Sequence, residues 1–220
     1  NTAGVLVQDN VLRNFPLFIN ALEANPGALP NLHIAVITSD LGAGDGSIAS
    51  CSATGGDAGR FQYTSRGTGT STNLNAGATF ISNVGGVANY TAADISTVFT
   101  CIAALGEQGC GFEHQFASIL RALGADGKGA APAENQAFLR QDALLAIVMI
   151  TNEDDCSVPS DSRLLDRDVA DGDGQLTNFR CNEFGHTCNG KKLDRYAEAR
   201  DLDCRDAGDD PWQQLIPVSK

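Results

Sequence analysis

Basic residues are scarce in this chain of 220: 15 Lys and Arg stand against 27 Asp and Glu, a net charge of −12. A nucleic-acid surface needs clustered cations to neutralise phosphates, and an anionic bilayer attracts the same cations. Nucleic acid is therefore excluded as a partner, and anionic membranes are disfavoured. Long apolar runs are missing too. The longest, Ala143–Ile150, falls far short of the ~20 residues that a bilayer-crossing helix needs. There is no C-x-x-C, so neither a thioredoxin-type redox site nor a zinc ribbon is expected. There is no G-x-S-x-G elbow and no H-E-x-x-H helix. His33, His114 and His186 lie far apart, which does not make a zinc site.

What is present is a globular composition, 42% hydrophobic, with 24 Gly and seven Cys. Polar, Gly-rich surroundings around many cysteines point to an exported protein in an oxidising compartment. Cys101 with Cys110, and Cys181 with Cys188, span short loops that suit local staples. The odd count leaves one thiol without a partner in the chain. Residue 1 is Asn rather than Met, the expected mark of a processed, trimmed or incomplete product whose missing part holds that partner.

Asp9–Glu23 reads as a helix, because Val11, Leu12, Phe15, Phe18, Ile19 and Leu22 fall on one face. Leu32–Thr38 is a short, β-branched apolar run that reads as a strand buried on both faces, the mark of a parallel sheet. Gly42–Asn89 is a long Gly-, Ser- and Thr-rich loop or set of hairpins, with small strands near Phe61–Tyr63 and Thr79–Ile81. A helix opens at Thr91, with Asp94 completing a weak capping box, and ends at Gly106. Another spans Glu113–Leu123, and Ala133–Leu139 suits a short helix. Ala143–Thr151 is the second buried strand. This order predicts an α/β fold with a doubly wound, mostly parallel sheet flanked by helices. A loop-rich insertion at 43–89 and an acidic, Cys-rich extension at 157–210 complete one domain over 1–220.

In such sheets, ligands sit beyond the carboxyl ends of the strands. The two strands end in Thr38-Ser39-Asp40 and Thr151-Asn152-Glu153-Asp154-Asp155, and Glu113 opens a helix that should reach the same rim. Hydroxyls and carboxylates suit Mg²⁺ or Ca²⁺ rather than zinc. The same groups equally suit helix N-terminal caps.

The stretches "LRNFPLFINAL", "LHIAVITSDLGAG", "CIAALGEQGCGFEHQFASILRAL" and "AFLRQDALLAIVMITNEDDCS" together resemble a von Willebrand factor A-type domain of secreted or lipid-anchored bacterial proteins. They cover roughly a third of the chain. The resemblance implies a doubly wound sheet and a metal-ion-dependent adhesion site at its rim, where a partner's carboxylate completes the shell. Thr2 falls at the first Ser of the family's D-x-S-x-S segment, and Gly4 at the second. Glu113 falls at the family Thr, and Asn152 at the Asp of its T-D-G segment, followed by Asp154 and Asp155. The family Asp would precede Asn1, and the family's last helix would follow Lys220, so the resemblance implies truncation at both ends.

Two further signals are weak. Asp166, Asp168, Asp171 and Asp173 do not match the EF-hand spacing and read as a solvated turn. Gly185–Lys191 matches G-x-x-x-x-G-K, but Lys192 replaces the Ser or Thr, so a stapled turn is expected there. The expected function is non-enzymatic: an extracellular or cell-surface protein-binding or adhesion module with Mg²⁺ or Ca²⁺ at Thr2, Glu113, Asn152, Asp154 and Asp155. A purely structural disulfide-stabilised domain is the alternative. A metal-assisted hydrolase with Asp154 or Asp155 as base ranks third.

Overall fold

The computed structural model describes residues 2–24, 29–44, 51, 55–66, 72–92, 94–159, 162–166, 174–193, 196 and 203–216, with backbone alone for 2–7. Asp168, Asp171 and Asp173 lie outside the described residues. The chain forms two compact units, each assembled from separated stretches. The first comprises Asn1–Thr38, Gly59–Gln108 and Ile119–Asn152; the second comprises Ser39–Ala58, Gly109–Ser118 and Glu153–Lys220.

The first unit is built on a helix pair. Helix α1 is Thr2–Ala24, so it begins seven residues before the expected start at Asp9. Its interior Pro16 removes one ladder donor. The helix holds because Phe15 and Ile19 on its apolar face are buried and the face packs on α2, Ile95–Ala103. Phe15 stacks on Phe99 with ring centroids 3.6 Å apart. Helix α2 begins where Asp94 accepts the Thr97 N–H at 2.8 Å, so Asp94 itself is the cap and the Thr91 start moves inward. Ile95, Val98 and Ile102 of α2 complete this core with Ile81.

A three-stranded sheet joins these helices: β1 (Leu32–Ile34), β2 (Ile81–Val84) and β3 (Val87–Ala88), in the order β1-β2-β3. Both pairings are antiparallel. Gly85 and Gly86, at φ 61° and 77°, close a two-residue turn between β2 and β3, which the strand twist favours. Asn135 then ties the unit's loops. Its amide oxygen accepts Phe61 N–H at 2.8 Å, and its nitrogen donates to Gly59 O and Ala122 O at 2.8 and 2.9 Å. Residues 133–135 form one 3-10 turn rather than the helix expected over Ala133–Leu139.

The second unit carries a smaller sheet and the disulfides. Helix α4, Phe179–Gly185, runs directly into β4, His186–Cys188. (Helix α3, Gln115–Ala122, begins in the second unit and ends in the first.) Strand β4 lies between β5, Lys191–Lys192, and β6, Cys204–Asp206, antiparallel to both. Asn189 and Gly190, at φ 52° and 75°, make the β4–β5 turn. The G-x-x-x-x-G-K string is therefore a hairpin with the Asn-Gly signal. Cys51 bonds Cys110, Cys156 bonds Cys181, and Cys188 bonds Cys204. The expected staples Cys101–Cys110 and Cys181–Cys188 do not form. All six bonded cysteines belong to the second unit, whereas Cys101 is buried in α2 of the first.

The doubly wound, mostly parallel sheet is overturned, because both sheets are small and antiparallel. Parallel pairing needs a crossover, usually a helix, between neighbouring strands. Between β1 and β2 the chain instead supplies the Gly-, Ser- and Thr-rich stretch. Phe61–Tyr63 forms no strand. Ala143–Thr151, expected as a buried strand, forms none either, and Leu144–Ile150 are exposed. No helix among the described residues is long and apolar enough to cross a membrane.

Candidate functional site

The polar rim expected from the strand ends assembles, in part, inside the second unit. Ser39 and Asp40 follow the first apolar run, and a single antiparallel bridge joins Asp40 to Glu113. His114 N–H donates to Ser39 O at 2.9 Å, and Cys156 N–H donates to Glu113 O at 2.6 Å. The segments 39–42, 110–114 and 153–157 are thus laced together, with Cys110 and Cys156 held by their disulfides.

Glycines make room for the Asp40 carboxylate. Gly42 N–H donates to Asp40 Oδ1 at 2.8 Å. Gly56 sits at φ +51°, and a Cβ there would fall 2.2 Å from Asp40 Oδ1. That approach is closer than any side chain allows, and the left-handed conformation itself favours glycine.

Ser39 Oγ donates to Glu113 Oε2 in a short hydrogen bond. Burial raises the Glu113 pKa above its ordinary value; the Ser39 hydrogen bond opposes this, and the charges of Glu153 and Asp40 add to it. His114, 2% exposed, moves the other way. Burial lowers its pKa, while hydrogen bonds to the Gly42 and Cys156 backbone and the charges of Asp155 and Asp40 oppose the shift. Its Nε2 lies 3.2 Å from Gly42 O.

Asp155 works as a helix cap. Oδ1 accepts the Phe116 N–H at 3.0 Å and the Ser157 hydroxyl at 2.8 Å, and Oδ2 accepts the Ser157 N–H at 3.1 Å. Ser157 Oγ in turn accepts the Ala117 N–H at 2.9 Å. Two of the unpaired donors that begin α3 are thereby satisfied. Ser157 carries no signal in the sequence as a site residue, apart from lying two positions beyond an Asp. Glu153 contributes its main-chain oxygen to Gln115 Nε2 at 3.2 Å.

The five expected metal ligands are divided between the two units. Glu113, Asp154 and Asp155 belong to the second unit, whereas Thr2 and Asn152 belong to the first. Thr2 is the first residue of α1, and its side chain lies outside the described residues. Asn152 and Asp154 are exposed. Among the described residues, no three His, Cys, Asp or Glu side chains are grouped to hold an ion. The Asp155 oxygens serve the α3 N-terminus, and Glu113 accepts the Ser39 hydroxyl.

The chain matches no protein-family model, no curated protein and no solved structure. The von Willebrand A-type resemblance thus has no support from any family, and the antiparallel sheets contradict the fold it implies. In the first unit, a cavity of about 150 Å³ is lined by Phe61, Leu123, Ala137 and Phe138 beside Asn135. The Asn135 amide is already engaged by three backbone groups, so the cavity offers apolar contact.

The opposed shifts at Glu113 and His114 give a testable pH response. A carboxyl whose folded pKa is raised contributes stability that is full below its unfolded pKa and lost as pH rises through the folded value. An imidazole whose folded pKa is lowered contributes stability above its unfolded pKa that is lost as pH falls through the folded value. Glu113 and His114 therefore oppose each other between neutral and mildly acidic pH. Glu113→Gln is expected to raise stability at neutral pH and to make its decline on acidification steeper. Denaturant midpoints measured across that range check the slope; an unchanged slope contradicts the assignment.

Proposed function

We propose that this chain is a protein-binding module of an exported or cell-surface protein, non-catalytic and braced by disulfides. One observation supports this reading most: Leu144–Ile150 of the first unit is an uninterrupted apolar run left exposed to water. Contiguous exposed apolar surface marks interaction sites in stable proteins. The three disulfides suit an oxidising location. A purely structural role does not call for such a run.

A hydrolase is less well supported. The Ser39 hydroxyl is bonded to Glu113, and the His114 ring faces the Gly42 carbonyl, so hydroxyl and imidazole do not form a nucleophile–base pair. Asp155, one of the two carboxylates suited to act as base, is held by the α3 N-terminus.

Met149 is the chain's one methionine and is 40% exposed. It reports directly on the run. Dilute peroxide is expected to convert it to the sulfoxide at the rate of a free thioether, read as one oxygen added to one peptide. Protection typical of a buried methionine in the isolated chain would remove the basis of the proposal.

A further inference from the structure

The Cys188–Cys204 bond is set apart from the other two by its place in the second unit's sheet. Strand β4 is central there, and β6 is an edge among the described residues. Cys188 and Cys204 stand directly opposite each other in the antiparallel ladder. Asn189 N–H donates to Asp203 O at 2.8 Å, one position beyond this pair. The disulfide therefore joins the strands at a position between main-chain bonds, where facing side chains come closest.

Burial distinguishes its two ends. Cys204 is exposed, whereas Cys188 is only 6% exposed. The four cysteines of the other disulfides are all buried, Cys181 the least so at 9%. Thiol–disulfide exchange depends on which sulfur an incoming thiolate can reach. In-line attack on Cys204 comes from beyond the β6 edge, whereas attack on Cys188 would have to come from the side of β5.

Register supplies a cation for the leaving group. Lys191 stands directly opposite Cys188 across the Asn189-Gly190 turn, and directly opposite residues share a face. An ammonium beside a sulfur stabilises its thiolate, and a more stable thiolate leaves faster. His186 and Asp206 pair one alternate position further along the same face. His186 Nδ1 lies 3.2 Å from Asn182 O, and Asp206 Oδ1 accepts the Gly208 N–H at 2.6 Å.

We infer that Cys188–Cys204 is a thiol-exchange site that takes a small thiol at Cys204. The thiolate of the small thiol attacks Cys204 Sγ. The S–S bond breaks, a mixed disulfide forms at Cys204, and the electron pair leaves with Cys188 as its thiolate. One disulfide is exchanged for another, so the step needs no further oxidant or reductant. Attack by Cys188 on the mixed disulfide reverses the step and expels the small thiol. While the adduct persists, the edge strand β6 has lost its covalent tie to β4. This inference stands apart from the binding reading of Leu144–Ile150.

Limited treatment of the full chain with 2-mercaptoethanol tests it. Acid stops the reaction, maleimide labels thiols in denaturant, and peptide mass spectrometry places both marks. The Cys101 thiol takes label in every sample. The first mercaptoethanol adduct is expected on the peptide holding Cys204, with new maleimide on Cys188. Either other disulfide should open at least about tenfold more slowly, because its sulfurs are buried. Lys191→Gln, at an exposed position, should slow opening at least about threefold, with the gap shrinking as salt rises. Lys191→Arg should keep the original rate, because it keeps the charge. A first adduct on Cys188 overturns the inference. So does opening of Cys51–Cys110 or Cys156–Cys181 at the same rate, and so does an unchanged rate in Lys191→Gln.

Discussion

Reducing agent is expected to dismantle the second unit while α1 and α2 of the first keep their protection. The disulfides close intervals of 59, 25 and 16 residues, and loop-closure entropy assigns each roughly 3–4 kcal/mol. Together that is about 10 kcal/mol, comparable with the whole stability of an ordinary domain, roughly 5–15 kcal/mol. The second unit has little else in reserve. Its core cluster includes Cys51, Cys110, Cys156 and Cys181 among a few apolar side chains such as Phe112, Leu164 and Phe184. The first unit rests instead on Phe15, Ile19, Ile81, Val98, Phe99 and Ile102, none of which depends on a cross-link. Hydrogen exchange read by mass spectrometry, with and without reductant, should show peptides around 179–192 losing protection and those around 11–19 and 95–103 retaining it. Simultaneous loss in both sets contradicts this division.

Arg180→Ala is expected to destabilise the second unit by at least about 3 kcal/mol, since charge-assisted hydrogen bonds contribute roughly 1.5–3 kcal/mol each and several are lost together. Arg180 is fully buried, with 0% exposure. Its guanidinium donates to Leu164 O and Asp166 O at 2.7 Å, to Gly174 O at 2.6 Å and to Gln175 O at 3.3 Å. One planar group thereby gathers the carbonyls on both sides of the 167–173 segment and fastens them to α4. Truncation strands four acceptors away from their donor. Arg180→Lys should recover only part of the loss, because an ammonium cannot reproduce the planar fork. Urea midpoints of the two variants measure the difference. Equal midpoints for Lys and Arg at this position would mean that charge alone, not the fork, holds these carbonyls.

Much of the local structure was legible because it is set by near neighbours. The apolar stripe Val11, Leu12, Phe15, Ile19 identified α1, although its start lay earlier than the stripe suggested. Asp94 was recognised as part of a helix start, and it is the cap. The helix expected over Glu113–Leu123 is Gln115–Ala122. The Asn189-Gly190 and Gly85-Gly86 pairs are hairpin signals within a phosphate-loop-like string and a loop-rich stretch. Arg180 and Asn135 left no sequence signal at all, because their roles are to satisfy carbonyls and amides brought in from separate stretches.

The rim was half legible. Ser39, Asp40 and Glu113 do meet, because the first apolar run delivers them beside the segment that starts α3. Of the expected metal ligands, Glu113, Asp154 and Asp155 share this unit, and Thr2 and Asn152 belong to the other. Oxygen-rich composition does not distinguish an ion's ligands from a helix cap, and Asp155 took the cap.

By itself, the amino-acid order determined the charge balance, the amphipathic helices, the turn positions and the absence of a membrane-crossing helix among the described residues. Each follows from composition or from spacing within a turn or two of chain. Only the tertiary structure decided which cysteines pair, which way the strands run and which apolar run is covered. Cys51 finds Cys110 across 59 positions rather than Cys101 finding its near neighbour. β1 finds β2 beyond a long loop and pairs antiparallel. Leu32–Ile34 becomes a strand because β2 reaches it, and Leu144–Ile150 stays exposed because no described strand does. A strand's burial depends on its partner, and local spacing carries no information about where the partner comes from.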